Sequence, residues 1–156
     1  MRRLLLPSML LTMLAGCSTA PYHAPASTGS TKPTAELSDQ AAEHALKMVG
    51  KPYRYGGSSP AGFDCSGLVM HSYRQAGLSL PHNTDKQRLA ARPIKLAELR
   101  RGDLLFFHQE GKKYGHVGIY VGGGKFVHAP SSGKSVRSDR LDSPYWSKHL
   151  SEARRL

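Results

Sequence analysis

Apolar positions follow a helical period in the earlier part of this chain and a two-residue period in the later part. The change falls between residues 90 and 103. In LSDQAAEHALKMVG, Ala42, Ala45, Leu46 and Val49 line one helix face, with Ser38 as the expected N-cap and Gly50, ahead of Pro52, as the stop. KPYRYGGSSPAG is dense in Gly, Pro and Ser and reads as a loop. In DCSGLVMHSYRQAG, Asp64 stands where an N-cap belongs, Leu68, Val69, Ser72, Tyr73 and Ala76 share a face, and Gly77 ends the run. Gly67 is a weak spot in that helix. NTDKQRLA predicts a short further helix. Strand-like runs follow in DLLFF, HVGIYV, KFVHA, SVRS and a last one near EARRL. Helices first and successive short strands after them predict an α+β domain, its helices packed on an antiparallel sheet.

The first 35 residues obey neither period. MRRLLLPSMLLTMLAGC has two arginines, an apolar run from Leu4 to Ala15 and a small residue before a cysteine, the pattern of a secretory signal. The run is too short to span a bilayer, which needs roughly 20 apolar residues, and Pro7 weakens it further. Leu14-Ala15-Gly16-Cys17 resembles the bacterial lipoprotein processing box. That resemblance implies removal of residues 1–16 and a lipid, palmitate included, on Cys17; a plain signal peptide cut nearby is the alternative. Ser18 resembles the residue found after the cysteine in lipoproteins sorted to the outer membrane, so a lipid anchor on its periplasmic side is the expected location. Residues 17–35 then form the lipidated cysteine and a Pro-, Ser-, Thr- and Ala-rich tether. Such a chain spans about 25 Å on average and about 60 Å when stretched. Residues 36–156 suffice for one domain with one core.

Charge narrows the partners. The chain carries 22 Lys and Arg against 11 Asp and Glu, a formal net charge of +11. That balance favours polyanionic surroundings or is simply a solvated basic surface. Export, and basic residues that are scattered rather than interleaved with aromatics, exclude nucleic acid. Anionic lipid and carboxylate-rich cell wall remain.

With Cys17 lipidated, Cys65 is the one thiol of the mature chain, in an oxidising compartment where structural cysteines close into disulfides. It is either a reactive group or a small buried apolar residue. Its predicted place at the first turn of a helix favours the thiolate; the Asp64 carboxylate would oppose that if it faced the sulfur. A base is still needed. GHVGIYVGGGKFVHAP predicts a hairpin with a three-residue loop, Gly122 to Gly124, pairing Val121 with Lys125 and Gly118 with His128. His116 then shares a sheet face with His128, and Val117, Ile119 and Val121 line the other. Gly118 would leave room for a helix end. The two histidines suit a base and its orienter, or face solvent, or are hydrogen-bonded core residues. His71, His82 and His108 receive no role. Tyr145 and Trp146 form a short packing element or line a groove.

YRYGG, FDCSGLV, RRGDLLFF and GHVGIYVGGGKFVHAP, in this order, resemble the NlpC-type, papain-like cysteine peptidases of bacterial cell walls, most of all the small outer-membrane murein endopeptidase lipoproteins of the Spr type. The resemblance implies a papain-like α+β fold with Cys65 as nucleophile at a helix N-terminus, His116 as base, His128 as the orienting group and Tyr53 near the oxyanion site. Asp64 and Ser66 flank the nucleophile and contact the stem peptide, or serve only as cap and helix turn. It implies a hydrolase cutting the D-alanine–diaminopimelate cross-link of peptidoglycan. D-Glutamyl–diaminopimelate cleavage within one stem and acyl transfer are alternatives on the same triad. No metal or organic cofactor is implied. A lipoprotein holding a metal on Cys65, His116 and His128, or one that binds the wall without catalysis, are rivals from another class. An unrestrained wall hydrolase is dangerous, so a regulatory partner is expected; the sequence identifies none.

Overall fold

A computed structural model describes residues 33–156. Three helices precede the main sheet: α1 (Thr34–Lys47), α2 (Cys65–Ala76) and α3 (Thr84–Ala90), with a small hairpin of β1 (Ser58–Ser59) and β2 (Gly62–Phe63) between the first two. The sheet comprises β3 (Arg92–Ile94), β4 (Leu104–Gln109), β5 (Lys112–Gly122), β6 (Lys125–His128), β7 (Arg137–Arg140) and β8 (Leu150–Arg155). A short α4 (Pro144–His149) precedes the last strand. All pairings in the sheet are antiparallel, in the order β3-β8-β4-β5-β6-β7. The α+β architecture is the expected one. Among the described residues no helix is long and apolar enough to cross a membrane.

Strand alternation gives the sheet two apolar faces. One carries Leu104, Phe106, Val117, Ile119, Val121 and Val127 against Ala41, Ala42 and Ala45 of α1 and Leu68, Val69 and Tyr73 of α2. The other gathers Leu105, Phe107, Phe126 and Ala153 under Trp146 of α4. Tyr73 ties the layers, its hydroxyl donating to the Gly102 carbonyl at 2.5 Å, and burial pushes that phenol up to about 12.

Several local expectations are corrected. Helix α1 starts at Thr34, with Pro33 rather than Ser38 at the cap. Leu37 extends the buried face a turn upstream, and Ser38 lies buried inside the helix, its hydroxyl 3.5 Å from that of Tyr73. Val49 is exposed because the helix ends at Lys47. The hairpin after β5 pairs Gly122, not Val121, with Lys125, and a bulge between Tyr120 and Gly122 restores Ile119 opposite Val127. The loop is thus tighter than expected, while the register nearer the histidines is the predicted one. SVRS is not a strand as a unit: Val136 exchanges backbone bonds with Lys51 and Gly50 and enters the core, and β7 begins one residue later. Strand β3 went unpredicted because Pro93 sits in its middle, tolerated at a sheet edge.

Gly67 is required rather than weak. A Cβ there would lie 1.9 Å from the Gly57 carbonyl oxygen and 2.9 Å from both Asp64 Oδ1 and His82 Nε2. The loop packs directly on the first turn of α2 because this residue has no side chain. Gly67→Ala is therefore expected to lower stability by about 1–3 kcal/mol, overpacking outweighing a helix-propensity gain of about 1 kcal/mol. Urea unfolding of the two proteins measures the sign, and a stabilised variant contradicts the packing.

Candidate active site

Cys65 is the first residue of α2, and the helix start is fixed by Asp64. Its Oδ1 accepts from the Gly67 N–H at 2.7 Å and the Ser66 hydroxyl at 3.3 Å, while Oδ2 accepts from the Gly56 N–H at 3.0 Å. His82 Nε2 stands 2.8 Å from the same Oδ1. His82, given no role in the sequence reading, thus completes the cap and lines the cleft in front of it. Gln87, fully buried, donates to the Ser66 carbonyl at 2.8 Å and the Pro81 carbonyl at 2.7 Å, clamping the same turn to the start of α3. Oδ1 of Asp64 is thereby committed to the cap and Oδ2 to the preceding loop, and Ser66 is buried beside them.

The Cys65 sulfur opens onto a cleft of 790 Å³ that is also lined by Tyr53, Thr84, Tyr114 and His116. Burial pushes the thiol pKa up, and the Asp64 charge adds to this; backbone N–H groups of Val117 and Ser66 and the Thr84 hydroxyl, 3.9 Å from the sulfur, pull the other way without winning. The balance favours the neutral thiol over the thiolate. Tyr53 reaches the cleft from the loop after α1, anchored by its N–H to the Lys134 carbonyl and by a bridge to Phe63; burial raises its phenol, and Cys65 adds to that.

His116 on β5 and His128 on β6 share the sheet face predicted for them. His116 Nε2 lies 2.8 Å from His128 Nδ1. The two residues are 2 % and 0 % exposed. Phe107, Phe126 and Trp146 surround them, with Trp146 stacked on the His116 ring at 5.6 Å and edge-on to His128 at 4.8 Å. Gly118 serves this cluster and not a helix end: a Cβ there would lie 2.7 Å from the Phe126 ring and 3.3 Å from His128 Cβ. Burial holds the His116 pKa well below its ordinary value, with His128 adding to the effect, and lowers His128 to about 4 despite the opposing pull of Asp139.

Asp139 was missed in the sequence. Its Oδ2 lies 3.0 Å from His128 Nε2 and accepts from Arg137 Nε at 3.0 Å and from the Trp146 indole N–H at 2.9 Å. Burial alone would raise this carboxyl, but hydrogen bonds from Trp146, Arg137 and His128 hold it below the usual range. No pattern around Asp139 announces it, since it sits on an edge strand among exposed polar residues. Trp146, left open between packing and groove lining, packs over the histidines, and Tyr145 beside it is exposed. His71 is buried against Phe63 at 5.1 Å, and His108 is exposed. Cys17 lies outside the described residues.

Among the described residues no three His, Cys, Asp or Glu side chains are grouped to hold a metal ion. The donor geometry explains this for the proposed trio: His128 spends Nδ1 on His116 and Nε2 on Asp139, leaving no nitrogen for a metal. What remains is a thiol and a buried imidazole lining one cleft, an arrangement suited to nucleophile and base.

A family model described as NlpC/P60 family matches residues 50–155. The murein DD-endopeptidase MepH of Escherichia coli K12 is 44% identical over 117 residues, which cover 71% of this chain and 43% of that protein. The bifunctional muramidase/DL-endopeptidase CwlT of Bacillus subtilis 168 is 46% identical over 111 residues, covering 69% of this chain and 33% of CwlT. The chain thus spans less than half the length of either relative. A crystal structure of a lipoprotein-like NLP/P60 protein from Staphylococcus aureus superposes with a TM-score of 0.68 at 40% identity, covering 83% of this chain and 44% of that one.

The buried histidines predict how stability varies with pH. The unfolded chain protonates His128 near pH 6.5, the folded one only near 4. Between these values the unfolded state binds more protons, so stability is full above about pH 6.5 and falls as pH drops toward 4, by about 3 kcal/mol for His128 alone. Urea midpoints from pH 7 to 4 are expected to fall steeply for wild type and less steeply for His128→Gln.

Proposed function

The chain belongs to the NlpC/P60 family, and from that premise we propose that it is a cysteine endopeptidase of peptidoglycan, hydrolysing peptide cross-links through Cys65. The observation that carries this reading is the shared cleft, with the thiol at a capped helix start on one wall and the buried imidazole pair behind the other.

In this reading Cys65 starts as a thiol and His116 as a neutral imidazole. As the sulfur bonds to the substrate carbonyl carbon, the S–H proton passes to His116 Nδ1. The resulting oxyanion is met by the N–H groups at the start of α2, which have no carbonyl partner inside the helix, and by the Tyr53 hydroxyl. His116 gives its proton to the leaving nitrogen as the C–N bond breaks, forming a thioester. Water then adds to the thioester, His116 taking its proton; the C–S bond breaks and the proton returns to sulfur. His128 orients His116. Asp64 and Ser66 act first as the cap, and any contact with the stem peptide is made from that fixed position.

The bond proposed is D-alanine–diaminopimelate, supported by the DD-endopeptidase among the relatives. The second reading, cleavage of D-glutamyl–diaminopimelate within one stem, is supported by CwlT and by a Bacillus subtilis γ-D-glutamyl-L-lysine dipeptidyl-peptidase. We also place the protein, as a proposal, on the periplasmic side of the outer membrane through a lipid on Cys17, a reading supported by Leu14-Ala15-Gly16-Cys17 and Ser18 alone.

Incubation with cross-linked murein, followed by mass spectrometry of the muropeptides, is expected to show loss of cross-linked dimers and gain of free stems. Cys65→Ala is expected to abolish both changes. Shortened stems with cross-links intact would move the bond to D-glutamyl–diaminopimelate, and full activity in Cys65→Ala would end the mechanism. Tyr53→Phe is expected to cost about 10²-fold or less in kcat, as for one oxyanion donor. The low basicity of His116 predicts that the acid limb of kcat/KM lies below pH 6.5, the imidazole staying neutral and competent as a base there. A limb above pH 6.5 would contradict it.

A further inference from the structure

The contacts of Asp139 go beyond holding α4 in place. Three groups converge on its Oδ2: His128 Nε2, Arg137 Nε and the Trp146 indole nitrogen. An indole N–H and a guanidinium can only donate, so the atom at this point must be an acceptor. An ionised carboxylate offers no proton either. His128 Nε2 therefore carries a hydrogen and donates it.

The rest follows along the line of rings. A neutral imidazole carries one hydrogen, so His128 Nδ1 is bare and accepts. Its partner at 2.8 Å, His116 Nε2, must then be the donor. That places the one hydrogen of His116 on Nε2 and leaves a lone pair on Nδ1. Reversing any link puts two hydrogens or two lone pairs face to face in a site from which water is excluded.

We propose that Asp139 is a positioning residue for the reaction: by accepting from His128 Nε2 it fixes the tautomers of both buried imidazoles and keeps Nδ1 of His116 bare as the base for Cys65. The inference rests on the reading of Cys65 and His116 as nucleophile and base. When His116 takes the thiol proton it becomes a cation, and its Nε2–H stays bonded to His128. The Asp139 charge, one ring further on, then stabilises that cation inside an aromatic enclosure. The carboxylate therefore acts twice: it sets the proton order at rest and favours the charge that forms during attack.

The test is direct observation of the tautomers. Two-bond ¹⁵N–¹H spectra of protein labelled at histidine are expected to show both His116 and His128 protonated at Nε2 near pH 7. Protonation of either ring at Nδ1 overturns the proposal. Asp139→Asn is expected to keep this order, because Arg137 and Trp146 hold the amide oxygen in the acceptor place, while Cys65 alkylation by iodoacetamide at pH 7 slows about tenfold for want of the charge. Asp139→Ala is expected to mix the tautomers and slow alkylation about 10²-fold, at the low end of what a general base contributes. Unchanged tautomers and unchanged thiol reactivity in Asp139→Ala would assign the residue to structure alone. Neither readout needs murein. Expected tautomers without murein cleavage would count against the proposed function and leave the positioning intact.

Discussion

Two imidazoles bonded to each other where water does not reach set the terms for everything around them. Neither ring can hold a charge there without a counter-ion. The aromatic enclosure of Phe107, Phe126 and Trp146 lowers the local polarity, and among the described residues Asp139 is the carboxylate bonded to the pair. The same dryness that weakens His116 as a base makes every fixed dipole near it count for more. Gly118 and the bulge before Gly122 belong to this requirement: the first admits the Phe126 ring, the second keeps β5 and β6 in the register that brings the rings together.

The nucleophile is held by different means. Cys65 depends on a helix terminus, and that terminus depends on a carboxylate whose acceptor capacity is spent on backbone, hydroxyl and imidazole neighbours. Gln87 braces the same turn from the far side. One wall of the cleft is therefore rigid through polar contacts and the other through apolar packing. They meet at the cleft, which both Cys65 and His116 line.

Much of this was legible because it was local. Asp64 and Gly77 bound α2 as their residue types require, with Gly77 at φ 105. The alternation of HVGIYV put the histidines and the valines on opposite faces. Where local rules failed, a distant partner had overruled them. Ser38 looks like a cap, but Leu37 found a core to enter and carried the helix past it. Gly67 looks like a flaw until the Gly57 carbonyl is seen against it. His82 and Asp139 carry no signature because their meaning lies in Asp64, eighteen residues away, and in His128, across a strand pair. Edge strands β3 and β7 are short, the first interrupted by Pro93 and the second made only of polar residues, so periodicity has nothing to register there.

The place of β8 has a consequence for how the protein comes into being. It follows every other described element in the chain, yet it lies inside the sheet, between β3 and β4. Until Arg155 arrives, the buried Asp103 carboxylate lacks its bidentate partner, and Ala153 is absent from the apolar face that closes under Trp146. Pairings over such sequence separations are slow to form. A growing polypeptide would carry its cysteine and both imidazoles well before it had a floor on which to align them. The sheet under the site is therefore complete only once β8 has paired on both sides, so alignment of the cysteine and the imidazoles waits on a strand that follows them in the chain.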